Sequence, residues 1–222
     1  MKRPLVIVAS EKEGLSLVQT WALDYDSGFA LFAGDHERAL GLYRGSKRDL
    51  VISGVLEHHM TAACARAVAD LSPYAVVNFG ACGSYDGRLN GSTGPQIGEA
   101  VVVADSYRFD VDDNAHWAPR RVLKIPDLDV RQVACVTGSR YSRAKDREAV
   151  YFPHCGEIED MELYALAVLL ETLEVPLYSI KYVTNQVGSE GRNEYRQNVV
   201  SAMANGERAL QALLSILESD TH

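Results

Sequence analysis

Residues 156–188, GEIEDMELYALAVLLETLEVPLYSIKYVTNQVG, decide the fold because they join an apolar helix to a buried strand through a short turn. The helical pattern opens at Asp160-Met161-Glu162 and runs on through LYALAVLL. The strand, Pro176–Asn185, is rich in β-branched and aromatic residues and stops on Thr184-Asn185. A helix followed closely by a strand that is apolar on both faces is typical of α/β proteins with a covered sheet.

Similar units occur throughout the rest of the chain. Further apolar runs of strand length are Pro4–Ser10, Asp49–Val55, Pro73–Ser84, Gly98–Phe109 and Arg131–Tyr141. Helical patterns begin near Lys12, cover His59–Leu71 and end the chain at Asn198–Ser219. The pattern predicts one α/β domain over residues 1–222, with a mixed, mostly parallel sheet flanked by helices.

Composition narrows the classes of function. The chain has 222 residues and a net charge of −8, which argues against a general nucleic-acid binder. The apolar run near the N-terminus is too short for a signal peptide, and no stretch approaches the length of a membrane span, so we expect a cytoplasmic protein. The four cysteines are scattered without a C-x-x-C pair, which predicts neither a metal site nor disulfides.

Ligands bind at the carboxyl ends of the parallel strands in such sheets. Three predicted strands are followed there by residues that could contact a ligand. Glu13 follows the first strand, where it is either a helix N-terminal acid or a catalytic carboxylate. The Gly80–Gly83 turn either is only tight or lets the backbone approach a ligand. Within that turn, Cys82 is read as a buried thiol rather than a reactive one. Asn185 is either a turn residue or a ligand contact.

The carboxylates Asp160 and Glu162 are two residues apart, so they face different sides of a helix. One is expected to cap the helix while the other faces inward. Glu162 precedes an apolar run, and a carboxylate in dry surroundings needs hydrogen-bond donors, which a ligand's hydroxyls can supply. The alternative is an N-cap with a first-turn acid and no ligand.

Six stretches, in order along nearly the whole chain, resemble the nucleoside phosphorylase/nucleosidase superfamily, and most closely its methylthioadenosine/S-adenosylhomocysteine nucleosidases. IVASEKEGLSL is similar to the acidic A-M-E-E-E turn, and SPYAVVNFGACGS to P-D-x-V-I-N-x-G-x-A-G-G. GEAVVVADSYRFDVDD resembles a G-D-x-V-V strand with a Y-H-D-x-D loop, and VTGSRYS an S-G-D-x-F turn. EDMELYALA resembles V-E-M-E-x-x-A-x-A, and VPLYSIKYVTN resembles V-P-f-x-x-x-R-x-I-S-D.

The resemblance implies a nucleoside phosphorylase-like fold and a role for each matched residue. Glu13 would deprotonate the attacking water, and Glu162, preceded by Asp160 and Met161, would bind the ribose hydroxyls. The other implied contacts are Ser10, Ala81 and Cys82 near the sugar, Tyr141 and Ser142 near the base, and His116 or Trp117 from the partner in a homodimer. The resemblance implies a purine nucleoside as ligand and no metal or cofactor.

Two residues depart from the motifs. Asn185 stands where the nucleosidases have an acidic residue, and Ser139 replaces the acid of the S-G-D turn. An asparagine cannot supply a proton, but its amide NH2 can donate to the O6 and N7 acceptors of a 6-oxopurine. Asn185 therefore favours a hypoxanthine- or guanine-type nucleoside, as in the 6-oxopurine phosphorylases and futalosine hydrolases, over the adenine of methylthioadenosine.

The type of reaction follows from the nucleophile. A glutamate at the first turn suits water and repels phosphate, so the sequence predicts a nucleosidase. A phosphorylase that borrows an arginine from a neighbouring subunit is the competing enzyme. A catalytically impaired nucleoside-binding protein is the alternative of a different class, suggested by Asn185 and Ser139.

Overall fold

The computed structural model describes residues 2–29, 40–85, 94–108, 120–140, 156–188 and 190–219. The strands in these ranges are β1 (Leu5–Val8), β2 (Asp24–Tyr25), β3 (Gly41–Arg44), β4 (Asp49–Ile52), β5 (Val76–Ser84), β6 (Ala100–Arg108), β7 (Arg121–Val122), β8 (Gln132–Thr137), β9 (Ile158–Asp160) and β10 (Leu177–Gln186). The helices are α1 (Glu11–Trp21), α2 (Glu57–Leu71), α3 (Leu163–Thr172) and α4 (Gly191–Ser219).

All ten strands form one mixed sheet, and five of them close into a ring. β5 pairs with β10 and β9, β10 with β6, β6 with β8, and β8 with β9. From β5 the sheet extends through parallel β1 and β4 to antiparallel β3 and β2. This arrangement puts β5 between β9 and β10, so residues from three chain segments lie side by side where β5 ends.

Helices pack on the sheet because its strands are apolar on both faces. β1 is the clearest case, since all of LVIV is buried. The long helix α4 packs against β10 and β5. A Cβ on Gly206 of α4 would lie 2.7 Å from Cδ1 of Tyr182 and 3.0 Å from Cε2 of Phe79. A glycine is therefore needed for the helix to approach these two rings.

The predicted fold class is confirmed, while several boundaries move. The last helix begins at Gly191 rather than at Asn198. The helix expected to open at Asp160 begins at Leu163, because Asp160 belongs to β9 and pairs with Thr137 of β8. Each described helix, α4 included, falls short of the continuous apolar length that crossing a bilayer requires.

Candidate functional site

A cavity of about 270 Å³ opens at the carboxyl ends of β1, β5 and β10. Pockets for drug-sized ligands measure about 300–1,000 Å³, so this one suits a small metabolite. Its polar lining includes Glu13, Asn78, Arg140, Glu159, Asp160, Glu162, Lys181, Thr184 and Asn185. Met60, Phe79, Met161 and Tyr195 add apolar or aromatic walls. The ends of strands predicted to carry the site thus meet around one cavity.

Glu13 enters the cavity from the first turn of α1, with its side chain almost wholly buried. It forms a capping box with Ser10, whose backbone N–H and hydroxyl both donate to Oε2, at 3.0 and 2.8 Å. Oε1 accepts from the Ala81 N–H at 2.9 Å and from the Tyr182 hydroxyl at 2.7 Å. A carboxylate has about four acceptor positions, so these contacts fix the carboxylate of Glu13 in position. Glu13 is therefore a helix N-terminal acid that also lines the cavity, and its catalytic role stays a prediction.

The Tyr182 hydroxyl remains a donor to Glu13. Burial, the negative charge of Glu13 and the hydrogen bond to it all raise the pKa of Tyr182 well above its ordinary value. Tyr182 is fully buried between β5 and α4. Glu13 is thus held from one side by its own helix and from the other by the sheet.

Replacing Ser10 tests its role as the N-cap of α1. Ser10→Ala removes the hydroxyl bonded to Oε2 but leaves the backbone N–H of residue 10 in place. Loss of a serine N-cap costs about 1 kcal/mol. We expect urea unfolding to show that loss, while Glu13 keeps its contacts to Ala81 and Tyr182. A loss near zero would contradict the capping role.

Glu162 approaches the cavity from the N-terminus of α3. It is buried, and its Oε1 accepts the Leu56 N–H at 3.0 Å. Burial and the charge of Asp160 raise the pKa of Glu162 to about 7, although Lys181 and the Leu56 N–H oppose the shift. A carboxylate in this position gains from further donors, such as vicinal hydroxyls.

The raised pKa of Glu162 makes stability depend on pH. The native state binds this proton more tightly than the unfolded chain, in which the pKa is near 4.5. The contribution of Glu162 to the free energy of unfolding is therefore greatest below pH 4.5 and falls as pH rises towards 7. We expect the free energy of unfolding of Glu162→Gln, measured by urea unfolding at several pH values, to change less between pH 4.5 and 7 than that of the wild type. If the free energy of unfolding depends on pH as strongly in Glu162→Gln as in the wild type, another group is responsible for this dependence.

Asp160 and Lys181 form a buried ion pair at 2.7 Å in the wall of the cavity. The Asp160 carboxylate also accepts from the Thr137 hydroxyl at 2.6 Å and the Leu163 N–H at 3.1 Å. Burial disfavours the ammonium of Lys181, but the charges of Asp160 and Glu162 outweigh it and raise the pKa of Lys181 above its ordinary value. Asp160 accepts the first N–H of α3 from the end of β9, and both Asp160 and Glu162 are buried in the cavity lining.

Asn185 and Glu159 lie at another part of the cavity, on either side of Gly83. Asn185 is buried; its Oδ1 accepts the Thr184 hydroxyl at 2.9 Å, and its Nδ2 donates to the Gln186 carbonyl at 3.1 Å. Glu159 is also buried, and its Oε2 accepts the Tyr85 hydroxyl at 2.8 Å. This part of the cavity therefore offers an amide and a carboxyl group side by side.

The site residues predicted from the sequence fall into three groups. Glu13, Ala81, Cys82, Asp160, Met161, Glu162 and Asn185 line the cavity. Ser10 contacts Glu13, and burial raises the pKa of the Cys82 thiol far above its ordinary value, in keeping with an unreactive thiol. The candidates that lie outside the described residues are His116, Trp117, Tyr141 and Ser142.

Sequence reasoning missed two residues of the cavity lining, Lys181 and Glu159, and also Tyr182, whose hydroxyl donates to Glu13. Lys181 carried a detectable signal, because a lysine stands inside a strand that is otherwise apolar on both faces. Glu159 was hidden because β9 has only three residues and reads as the approach to a helix. Tyr182 was hidden because its hydroxyl reaches a carboxylate 169 residues away in sequence.

Comparisons with known proteins agree with this architecture. The family model for the Phosphorylase superfamily matches residues 5–218. The fold is similar to 5′-methylthioadenosine nucleosidase of Arabidopsis thaliana in apo form, at a TM-score of 0.84 and 20% identity over 97% of this chain and 96% of that one. The sequence matches no curated protein.

Two further structures share the fold. The 5′-methylthioadenosine/S-adenosylhomocysteine nucleosidase of Neisseria meningitidis, in complex with methylthio-immucillin-A, has a TM-score of 0.78 and 21% identity over 99% of this chain and 100% of that one. Futalosine hydrolase of Helicobacter pylori has a TM-score of 0.76 and 13% identity over 96% of this chain and 97% of that one. At these identities the likeness shows the fold.

Proposed function

Because the chain belongs to the phosphorylase superfamily, we propose that it is a nucleosidase, which hydrolyses the N-glycosidic bond of a purine nucleoside. The observation that carries this proposal is a single small cavity into which Glu13 and Glu162 both project, with Asn185 also in its lining. Cleaving a glycosidic bond with water needs a base for the water and groups that hold the sugar and the departing purine.

Glu13 is the proposed general base. It is buried and fixed by four donors, and the Ser10 hydroxyl is the one that rotates most freely, since the other three are backbone N–H groups or a buried phenol. Rotation of that hydroxyl gives a water access to Oε2. The water then loses its proton to Glu13 as it adds to C1′ of the sugar.

Glu162 is the proposed ribose-binding residue, with the thioether of Met161 beside it in the cavity wall. Glycoside cleavage passes through a transition state with positive charge on the sugar ring. A carboxylate that accepts the sugar hydroxyls stabilises that charge more than it stabilises the neutral substrate. The pKa near 7 implies that ribose binding strengthens as Glu162 ionises.

Water is favoured over phosphate by the charge of the cavity. Its described lining carries the carboxyl groups of Glu13, Glu159, Asp160 and Glu162 and the cations of Arg140 and Lys181. Lys181 is already neutralised by Asp160. The carboxylate of Glu13, which lies where the nucleophile would bind, repels a phosphate dianion. The two cations are nevertheless the reason to retain phosphorolysis as an outcome of the test.

The test is chromatography of the free base released from inosine, guanosine, adenosine, methylthioadenosine and futalosine, each with and without phosphate. Release that does not depend on phosphate supports the nucleosidase. Hypoxanthine or guanine as product supports the role proposed for Asn185, whereas adenine as product overturns it. Release only with phosphate identifies a phosphorylase. Binding without release, measured by calorimetry, identifies a nucleoside-binding protein.

The proposal includes a homodimer in which the partner contributes an aromatic residue at the position of His116 or Trp117. Light scattering coupled to size-exclusion chromatography measures the mass of the assembly. A mass twice the 24.4 kDa of the chain supports the dimer, and a monomer that is fully active contradicts it.

A further inference from the structure

The departing purine poses a chemical problem that Asn185 cannot solve. When the C1′–N9 bond breaks, its electron pair stays on the purine, which becomes a good leaving group once a ring nitrogen is protonated. A carboxylic acid can supply that proton, but the amide of Asn185 can only hydrogen-bond. A group beside Asn185 that can give up a proton would therefore assist the nucleosidase proposed above.

Gly83 places Glu159 at that position. In the sheet, Gly83 is directly opposite Glu159 of β9 on one side and Asn185 of β10 on the other. A Cβ on Gly83 would lie 3.0 Å from Nδ2 of Asn185 and 3.3 Å from Cγ of Glu159. Both side chains thus lie against Gly83 on the same face of the sheet, and with Val187 they approach it so closely that a Cβ would crowd them.

Glu159 is held within the cavity lining rather than directed to solvent. It is 6% exposed, and the buried Tyr85 hydroxyl donates to its Oε2. Ionisable groups of the described residues near Glu159 include the Cys82 thiol and the paired charges of Asp160 and Lys181. Tyr85 packs with Val136 and Val187 in a small apolar cluster, so the carboxyl group has a fixed position in dry surroundings.

The sequence differs from the motifs it resembles at both Glu159 and Asn185, and the acidic residue stands at the opposite position. In the V-E-M-E motif that EDMELYALA resembles, the residue aligned with Glu159 is an apolar valine. In the motif that VPLYSIKYVTN resembles, the residue aligned with Asn185 is an aspartate. This chain has an acid in the first position and a neutral amide in the second.

We infer that Glu159 is the general acid of the reaction and that it takes over, from β9, the proton donation that Asn185 cannot perform. As the C1′–N9 bond breaks, its electron pair moves to the purine and the proton of the Glu159 carboxyl group passes to a purine ring nitrogen. Water adds to C1′ and its proton passes to Glu13. One water is consumed, and proton exchange with solvent returns both carboxyl groups to their starting states.

The test compares two leaving groups in Glu159→Gln. Purine release from the best substrate of the wild type should fall by roughly 10²–10⁴-fold, the usual worth of a general acid. Release of 4-nitrophenolate from 4-nitrophenyl β-D-ribofuranoside should stay within about threefold, since this anion needs no proton to depart. Glu157→Gln is the matched control, because Glu157 is two residues away, pairs with Arg131 and is not part of the described cavity lining.

A second variant tests whether residues 159 and 185 serve the same subsite. Adding Asn185→Asp to Glu159→Gln returns a carboxyl group to the other side of Gly83 and should restore purine release by at least about tenfold. Should Glu159→Gln fail to fold, Tyr85→Phe replaces it, since it removes a hydroxyl that donates to Glu159 and keeps the ring. That variant should slow purine release several-fold and leave nitrophenolate release unchanged.

The inference rests on the proposed function, but their failures differ. If the wild type releases neither a purine nor 4-nitrophenolate, the proposed function has failed. If the wild type releases purine and Glu159→Gln is equally active, only the role of Glu159 is overturned. Equal loss with both leaving groups also overturns it, because that result indicates a structural role. Absence of rescue by Asn185→Asp in a folded double variant overturns the shared subsite.

Discussion

Glu13→Gln is expected to lower the rate of base release by roughly 10²–10⁴-fold, because an amide cannot take a proton from water. The substitution preserves the size of the side chain and one acceptor oxygen. Ligand binding should change little, since the groups proposed to hold the sugar and the base, Glu162 and Asn185, are untouched. The measurements are the single-turnover rate with the best substrate and the dissociation constant of its product.

The control is Glu11→Gln in the same helical turn. Glu11 is also an acid at the N-terminus of α1, but it is not part of the described cavity lining. We expect Glu11→Gln to keep the wild-type rate, so that loss of a first-turn charge is separated from loss of the base. If Glu13→Gln keeps more than about a tenth of the activity, Glu13 serves only the capping box and the water must be activated elsewhere.

The sheet was predictable from the sequence because its longer strands are continuous apolar runs with clear ends. The stretch predicted at Pro176–Asn185 is rich in β-branched and aromatic residues, and it forms β10 over Leu177–Gln186, almost as predicted. Short strands carry no such pattern. β9 has three residues and is specified by its pairing with β5 and β8, which are distant in sequence. Periodicity cannot register a contact of that kind.

The site was predictable where a residue follows a strand, and unpredictable where its role depends on a partner. Glu13 and Asn185 could be selected because each ends a strand or begins a helix. The importance of Lys181 depends on Asp160, and that of Glu159 depends on the pairing that brings it to Gly83 opposite Asn185. These relations arise from strand order, which places β9, β5 and β10 together, and no local pattern encodes that order.

Lys181→Met is expected to destabilise the protein by about 3–5 kcal/mol, the usual cost of removing one partner from a buried ion pair. The ammonium and the carboxylate of Asp160 are 2.7 Å apart, and both side chains are almost fully buried. Methionine fills the volume of the lysine stem but leaves the Asp160 charge without a cationic partner among the described residues, although the Thr137 hydroxyl and the Leu163 N–H still donate to it. Urea unfolding at pH 7 measures the loss.

Two further variants test whether the destabilisation by Lys181→Met comes from the unpaired charge of Asp160. Lys124→Met makes the same change on an exposed side chain and should alter stability by less than about 0.5 kcal/mol. Asp160→Asn, added to Lys181→Met, removes the uncompensated charge and should recover part of the loss, because an amide can still accept from Thr137 and Leu163. If the double variant is no more stable than Lys181→Met, the loss comes from packing and the ion pair contributes little.

The same variant also connects stability to the site. Lys181 is one of two groups that oppose the rise in the pKa of Glu162, so its removal should raise that pKa above 7. Asp160 meanwhile joins β9 to β8 and caps α3, the helix that carries Glu162 at its start. Loss of Lys181 should therefore weaken ribose binding at neutral pH even in the fraction that remains folded. Measuring product affinity from pH 6 to 9 tests this: the affinity of Lys181→Met should rise at a higher pH than that of the wild type, and coincident profiles would show that the ion pair serves stability alone.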